Sequence, residues 1–203
     1  MSATARRTRY REQREHTRRQ ILDAAAAFLR DQAFRDLSVD ALMAEVGLTR
    51  TAFYRHFDDT TALVLRLLGE LGEKLYPVAD RWRAAAGGRY PEAAREALEA
   101  IVDFFVAEGP LVRAIADAAS VDARIETAYR ATREAFIALT TQTLERLAED
   151  GQIEVADSLG LARALNLMNE AYLLEEFGRE PFGDRDIALA TLERIWLAAA
   201  GPL

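Results

Sequence analysis

The chain has 203 residues, 50% of them hydrophobic, with a formal net charge of −7 and no cysteine. This length suffices for one sizeable core or for a small module on a larger domain, and the missing cysteines exclude a disulfide framework, a thiol nucleophile and a cysteine-based metal site. Because no apolar run reaches the roughly 18 residues that cross a bilayer and no signal-peptide core follows the basic N-terminus, we expect a cytoplasmic protein with no membrane partner.

Helical periodicity runs through almost the whole chain. Alanine, leucine, glutamate and arginine dominate, and apolar residues recur at spacings of three and four. In chain order, helices are predicted over about residues 12–32, 39–46, 50–57, 60–77, 91–108, 111–119, 123–149, 158–178 and 184–199. The sequence therefore predicts an all-α fold of about nine helices in two domains, 1–60 and 61–203.

Glycine and proline supply the predicted breaks between these helices. Gly47 ends the second helix, the fourth ends at Pro77 or shortly after, Gly87-Gly88 marks a loop, and Gly109-Pro110 separates the fifth helix from the sixth. Polar residues before three of the helices are predicted N-caps: Ser38, Thr49 and one of Asp58, Asp59 or Thr60.

The charge is unevenly distributed. Residues 1–57 carry eleven arginines against seven acidic residues, a net +4, whereas residues 58–203 carry a net −11. A basic end on an acidic body indicates that this end meets a polyanion. A solvated, disordered tail is the alternative interpretation of the arginine-rich N-terminus.

Two short helices joined at Gly47 behind a longer scaffold helix form a helix-turn-helix pattern. Phe53 and Phe57 share the face of the second short helix that we expect to be buried. The rest of its surface presents side chains suited to phosphates and base edges: Arg50, Thr51, Tyr54 and Arg55. His56 lies on the flank, where packing, capping and phosphate contact are all open. A structural corner with ordinary surface arginines is the alternative.

The segment SVDALMAEVGLTRTAFYRHFDDTTALV resembles the DNA-binding segment of TetR-family transcriptional regulators, and the resemblance extends over about residues 14–68. It implies that Ser38 caps its helix and touches phosphate, that Arg50 and Thr51 face bases, and that Arg55 lies in the groove. The family's phosphate-binding lysine falls at Thr60 here, which removes a cation. We expect the arginine-rich arm, residues 1–11, to compensate for this loss. The predicted DNA-binding residues are Arg6, Arg7, Arg9, Ser38, Thr49, Arg50, Thr51, Tyr54, Arg55, His56 and Thr60.

The last two predicted helices, 158–178 and 184–199, are apolar nearly all round. A surface helix needs only one buried face, so these two helices need covering on two sides. The chain is too small to supply that cover, and we therefore expect a homodimer in which each subunit contributes both helices to a four-helix bundle. The two recognition helices would then lie about one DNA turn apart, roughly 34–36 Å.

Asn166 and Asn169 lie three residues apart on one face of the first of these helices, and an interhelical hydrogen bond that fixes register would explain them. However, ALNLMNEAYLLEEFG and LATLERIWLAAAG are similar to the C-terminal region of EthR-like repressors, a TetR subgroup with a long apolar ligand tunnel. The resemblance implies that these asparagines bind a ligand carbonyl or amide. It implies a tunnel lined by Ile101, Phe104, Tyr129, Phe136, Leu139, Thr140, Thr143, Asn166, Asn169, Leu173, Leu174 and Trp196, although an aromatic core is an alternative.

A catalytic function is poorly supported, since two histidines and no cysteine leave few nucleophile–base pairs and no phosphate-cradling glycine loop is present. We expect no enzyme, no metal and no cofactor. The sequence predicts a ligand-responsive regulator and favours a repressor over an activator. The expected partners are a double-stranded DNA operator, a hydrophobic effector and a second copy of the chain. The alternative is a helical small-molecule-binding or interaction protein without functional DNA contact.

Overall fold

The computed structural model describes the backbone of residues 3–85 and 90–199 and the side chains of residues 7–78, 82 and 90–199. Within these ranges all regular structure is helical: α1 (Ala3–Asp31), a 3-10 turn (Phe34–Asp36), α2 (Val39–Glu45), α3 (Arg50–Phe53), α4 (Thr60–Ala85), α5 (Tyr90–Ala119), α6 (Ala123–Glu149), α7 (Ser158–Phe177) and α8 (Arg185–Ala199). The all-α prediction is confirmed, with eight α-helices in the described ranges instead of nine.

The helices form an N-terminal unit and a larger bundle that share one apolar core. α2 packs against α1 and α3, and α5 lies at the centre of the bundle, in contact with α4, α6, α7 and α8. α1 also packs against α4 and α5, so the N-terminal unit rests directly on the bundle. No helix in the described ranges is long and apolar enough to cross a membrane.

The caps and the turn of the helix-turn-helix confirm the sequence prediction. Ser38 Oγ accepts a hydrogen bond from the Ala41 N–H at 3.2 Å, and Thr49 Oγ1 accepts one from the Ala52 N–H at 3.3 Å. Each cap satisfies a backbone donor that the first helical turn leaves unpaired. Gly47 has a φ of 66°, a left-handed conformation that disfavours any residue with a Cβ atom.

Two predicted helix ends were wrong, because both prolines lie inside helices. α4 continues through Pro77 to Ala85, and α5 continues through Pro110 to Ala119. Proline removes the hydrogen bond to the carbonyl four residues earlier, which belongs to Glu73 in α4 and to Val106 in α5. Both residues are exposed, so water can satisfy the released carbonyls and the helices need not end.

Gly109 was predicted to be a helix break and instead allows two helices to pack closely. A Cβ atom at this position would lie 2.8 Å from the carbonyl carbon of Phe177 and closer still to its oxygen. The residue is buried where α5 meets the end of α7. The absent side chain therefore permits an approach of backbones, which local sequence does not reveal.

The remaining differences concern helix ends. α1 begins at Ala3 instead of near residue 12, so the arginine-rich arm is part of a helix rather than a disordered tail. α3 ends at Phe53, and hydrogen-bonded turns complete the segment to Phe57. The Gly87-Gly88 loop lies outside the described residues.

Candidate DNA-binding surface and ligand cavity

The surface of the helix-turn-helix separates an apolar from a polar side, as the sequence predicts. Phe53 is fully buried and Phe57 is 6% exposed, and their rings contact each other at a centroid distance of 5.6 Å. The polar side chains predicted to meet DNA point to solvent: Ser38, Thr49, Arg50, Thr51, Tyr54 and Arg55. The unit can therefore present hydrogen-bonding groups while its aromatics hold α3 on the core.

Arg50 is held by two neighbours. Its Nη1 forms an ion pair with Asp40 Oδ2 at 2.7 Å, and its Nη2 donates to the Tyr54 hydroxyl at 3.2 Å. The hydrogen bond to Asp40 is the main cause of a raised Arg50 pKa. The guanidinium is thus held in place on the exposed surface by Asp40 and Tyr54.

His56 lies partly buried beside α1. Its pKa is lowered from 6.5, first by burial and then by the positive charges of Arg14 and Arg18. A neutral imidazole facing two arginines is more consistent with packing than with a direct phosphate contact. The two arginines lie on α1 close enough to His56 to add positive charge beside the recognition unit.

The arginine-rich arm extends the basic character of this end along α1. Arg7 and Arg9 are exposed, whereas the side chain of Arg6 lies outside the described residues. Thr60, which replaces the family's lysine, is half-buried at the start of α4. The arm therefore supplies cations on an exposed helix and Thr60 supplies none.

The start of α4 is fastened to the start of α6 by two side-chain contacts. Asp59 forms an ion pair with Arg124 Nη1 at 2.7 Å, and the Thr61 hydroxyl donates to Asp122 Oδ2 at 2.7 Å. Asp59 also accepts from the Ala62 N–H at 2.6 Å, which caps α4 and is the main cause of the lowered Asp59 pKa. These contacts connect the entry of α4, just after the recognition unit, to α6.

A second charged cluster fastens α1 to the bundle. Glu108 of α5, only 9% exposed, pairs with Arg30 Nη2 of α1 at 2.8 Å and with Lys74 of α4. Glu70 of α4 similarly pairs with Arg19 of α1 at 3.2 Å. Ion pairs between α1 and the bundle helices α4 and α5 therefore help to fix the orientation of the N-terminal unit.

A cavity of about 150 Å³ lies within the bundle, between α4, α5, α6, α7 and α8. The walls are mostly aliphatic and aromatic. Nine of the twelve residues predicted to line a tunnel are in its wall: Ile101, Phe104, Tyr129, Phe136, Leu139, Thr140, Asn166, Asn169 and Trp196. The other three, Thr143, Leu173 and Leu174, are buried outside the wall.

The two asparagines differ in their hydrogen bonds. Asn166 Nδ2 donates to Thr140 Oγ1 at 3.0 Å and to the Ala162 carbonyl at 2.8 Å. Asn169, 5% exposed, accepts from Trp196 Nε1 at 3.0 Å through its Oδ1. Asn169 also forms part of the cavity wall.

An ion pair in the cavity wall was missed by the sequence analysis. Glu170 accepts from Arg133 Nε at 2.7 Å, from Arg133 Nη2 at 2.9 Å and from the Tyr129 hydroxyl at 2.6 Å. Burial and the adjacent Glu170 charge raise the Tyr129 pKa. Glu170 lies one helical turn after Asn166, so the spacing along α7 was an available signal for its position.

Comparisons with known proteins agree with both parts of this arrangement. Residues 21–67 match the family described as "Bacterial regulatory proteins, tetR family", and residues 94–200, over half of the chain, match "Transcriptional regulator EthR, C-terminal domain". The HTH-type transcriptional regulator EthR of Mycolicibacterium smegmatis is 27% identical over 179 residues, covering 87% of this chain and 82% of that protein. EthR of Mycobacterium tuberculosis is 26% identical over 186 residues, covering 88% and 84%.

A solved structure shows the same fold at lower sequence identity. A bacterial regulatory protein in the tetR family from Rhodococcus superposes with a TM-score of 0.74 at 16% identity and covers 92% of this chain and 98% of its own. The relatives are transcriptional regulators and not enzymes, which confirms the prediction that this chain is not an enzyme. The chain belongs to the TetR family of transcriptional regulators, with an EthR-like C-terminal domain, and is a DNA-binding regulator.

Proposed function

We propose that the protein is a repressor that binds an operator as a homodimer and is released by an apolar small molecule. The observation that carries this proposal is that α4 leads directly out of the helix-turn-helix and forms part of the cavity wall through Leu68, Leu71 and Leu75. A regulator of chromosomal operators acts where the DNA is, so we propose a cytoplasmic location.

The proposed DNA contacts follow from the exposed side of α3. Arg50 and Thr51 face base edges, because the first residues of a recognition helix enter the major groove. Tyr54, Arg55 and the residues at the two N-caps contact the backbone or the groove wall. The exposed arginines of α1 extend this surface towards the adjacent duplex.

Arg50→Ala tests the base-reading role. We expect operator affinity to fall by roughly 5–150-fold, since a bidentate arginine–guanine pair is worth about 1–3 kcal/mol. The free energy of unfolding should change by less than about 0.5 kcal/mol, because the side chain is exposed. Fluorescence anisotropy with a labelled operator duplex measures the first quantity and urea unfolding the second.

Arg130→Ala is the matched control for Arg50→Ala. Arg130 is 62% exposed on α6, far along the chain from the recognition unit, and its removal deletes the same charge. We expect operator affinity within about twofold of the unmodified protein, because a remote exposed charge contributes only screened attraction. An equal loss in both variants would argue that Arg50 contributes only to net charge.

The proposed dimer forms through α7 and α8. Four large apolar side chains stand exposed on these helices: Leu159 is 52% exposed, Leu167 40%, Ile187 64% and Ile195 38%. Exposed small residues continue the two stripes: Ala164, Ala171, Ala190 and Ala198. Such a face is suited to helix packing against an identical face of a second subunit, which is an arrangement with two-fold symmetry.

The cavity and the DNA-binding unit are coupled in this proposal through α4 and α6. α6 contributes Tyr129, Arg133 and Phe136 to the cavity, and its first turn is fastened to the start of α4 by Asp59–Arg124 and Thr61–Asp122. A ligand that displaces α6 therefore displaces the entry of α4. A difference of about 1–3 kcal/mol between the two arrangements would reduce DNA affinity roughly 5–150-fold.

Two substitutions test whether DNA binding and ligand binding depend on different residues. Tyr54→Phe removes the hydroxyl beside Arg50 and should weaken operator binding by roughly 3–10-fold, the value of about one hydrogen bond. Asn169→Leu removes the amide that lies in the cavity wall beside Trp196 and should weaken effector binding without changing operator affinity. Operator anisotropy and thermal shifts with hydrophobic compounds measure both affinities for each variant. Loss of both DNA binding and ligand binding in both variants would contradict this separation of the two sites.

If the unmodified protein shows no sequence-specific DNA binding, the alternative function, a small-molecule-binding protein, is favoured. In that case the cavity would belong to a small-molecule-binding protein whose helix-turn-helix no longer contacts DNA.

A further inference from the structure

The N-terminal part of α1 is a helix whose described side chains are exposed on every side. Each side chain from Arg7 to His16 is exposed, and the first buried side chain of α1 in the described residues is Ile21. A surface helix normally buries one apolar face, and most helices in proteins are stabilised by packing that face on a core. This segment has no such face and is accessible to a partner along its length.

Four arginines of this helix share one face, which we call the basic stripe: Arg7, Arg11, Arg14 and Arg18. Their spacings of four, three and four residues place them within about 60° of one another, because successive residues of a helix are about 100° apart. Eleven residues separate the first arginine from the last, so the stripe is about 16 Å long at a rise of about 1.5 Å per residue.

Most of the basic stripe has no counter-charge within the protein. Arg7, Arg11 and Arg14 form no ion pair with any described residue, whereas Arg18 pairs with Glu15 at 3.4 Å. Like charges four residues apart on a helix repel each other, and the stripe contains two such pairs. The stripe therefore weakens its own helix unless an anionic partner neutralises it.

The basic stripe is continuous with the proposed DNA-binding surface. The pKa of His56, in the recognition unit, is lowered by burial and then by the positive charges of Arg14 and Arg18. Near the other end of α1, Arg30 pairs with Glu108 of the bundle at 2.8 Å. The stripe thus begins beside the recognition unit and continues along the exposed part of α1, away from the end that contacts the bundle.

Two anionic partners are available to neutralise the stripe, and its position favours DNA. Residues 58–203 carry a net charge of −11, so the acidic surface of a second copy is one of them. The recognition unit, however, must face a duplex when the protein binds DNA, and the stripe begins beside that unit. Backbone phosphates border every groove that a recognition helix enters, and they attract cations whatever the base sequence.

We propose that the basic stripe binds the phosphate backbone of the operator as an intact helix, next to the phosphates that the helix-turn-helix contacts. This inference rests on the proposed operator binding by a homodimer and adds a second DNA-contact surface to it. Phosphate contacts carry no sequence information, so the stripe strengthens binding to operator and random-sequence duplexes equally. Arg9 lies about 200° around the helix from Arg7 and contributes only screened attraction.

Arg11→Gln and Arg9→Gln are a matched pair that tests the stripe. Each removes one exposed charge from the same helix, but on opposite sides. For Arg11→Gln we expect the slope of log affinity against log salt concentration to become less steep by about 2 per dimer, since each phosphate contact contributes about 0.9. Arg9→Gln should change the slope by less than half as much. Fluorescence anisotropy of labelled random-sequence duplexes between about 50 and 200 mM salt measures both slopes.

The triple substitution of Arg7, Arg11 and Arg14 by glutamine should have a larger effect on the same slope. Loss of three contacts in each subunit predicts a slope less steep by about 5 per dimer. The ratio of operator affinity to random-sequence affinity should stay within about twofold, because no base contact is removed. Glutamine forms helices about as well as arginine, so circular dichroism should show an unchanged helix content. Arg130→Gln, 62% exposed on α6, is the charge control and should leave the slope unchanged.

The outcomes separate this inference from the proposed function. An unchanged slope in the triple variant, with the operator still bound, would overturn the role of the stripe alone. Equal effects of Arg9→Gln and Arg11→Gln would indicate a flexible basic chain and would overturn the helical contact. A changed sedimentation coefficient of the triple variant without DNA would assign the stripe to the acidic surface of a second copy instead. Absence of any sequence preference in the unmodified protein would count against the proposed function itself.

Discussion

A protein carrying both Leu167→Glu and Ile195→Glu is expected to be monomeric and to bind its operator about 100-fold or more weakly. The two positions are 40% and 38% exposed on α7 and α8, so the substitutions add charges to the proposed interface without disturbing the buried core. A charge in the apolar centre of an interface must be desolvated, which opposes association. A dimer gains about 10²–10⁴ in affinity from two linked recognition helices, and the monomer loses that gain.

Sedimentation velocity and operator anisotropy measure this prediction. Val121→Glu is the control, since Val121 is 72% exposed but lies between α5 and α6, outside the proposed interface. The control should sediment and bind DNA like the unmodified protein. A double variant that stays dimeric would place the interface on another surface, and a monomer with full operator affinity would show that pairing is not needed for DNA binding.

Gly109→Ala is expected to lower the free energy of unfolding by about 3 kcal/mol, the upper part of the usual range for overpacking. The added Cβ would meet the backbone carbonyl of Phe177, with the carbon atom at 2.8 Å. A backbone group cannot rotate away as a flexible side chain does, so α5 and the end of α7 must separate. Urea unfolding followed by circular dichroism measures the change.

Gly69→Ala is the matched control and should change stability in the opposite direction. Gly69 is also inside a helix, but it is exposed and nothing lies within 4 Å of an added Cβ. Alanine in an open helical position stabilises by up to about 1 kcal/mol, because it reduces the conformational freedom of the unfolded chain. Equal effects at the two positions would contradict the close approach at Gly109.

The elements whose ends depend on local chemistry could be predicted from the sequence. Ser38 and Thr49 have side chains that satisfy the first backbone donors of a helix, and Gly47 tolerates a positive φ, so their roles follow from their identity. Phe53 and Phe57 were placed correctly because helical spacing puts them on one face.

The elements whose ends depend on tertiary structure could not be predicted from the sequence. A helix can continue through Pro77 and Pro110 because water can reach the released carbonyls, and exposure at those positions is a property of the assembled bundle. Gly109 has the same identity as a helix-breaking glycine, and only the position of Phe177 shows that it is needed for packing.

The candidate cavity was predicted in part, and the omissions have a common cause. The asparagines were identified through the resemblance to EthR-like repressors, whereas Trp82 and Glu170 became significant only through partners distant in the chain. Trp82 meets Trp196, and Glu170 meets Arg133 across two helices. Thr143, Leu173 and Leu174 have suitable side chains, but the rotation of their helices places them outside the cavity wall.

Selection of duplexes from a random-sequence pool tests the central claim most directly. The purified protein is mixed with the pool, the retained duplexes are sequenced, and the selection is repeated with Arg50→Ala. Two identical recognition units related by a two-fold axis predict an inverted repeat whose halves are centred about 10 base pairs, or a multiple of one turn, apart, with weaker enrichment for the variant. Retention without any enriched sequence, or one asymmetric site that Arg50→Ala still selects equally well, would contradict the account.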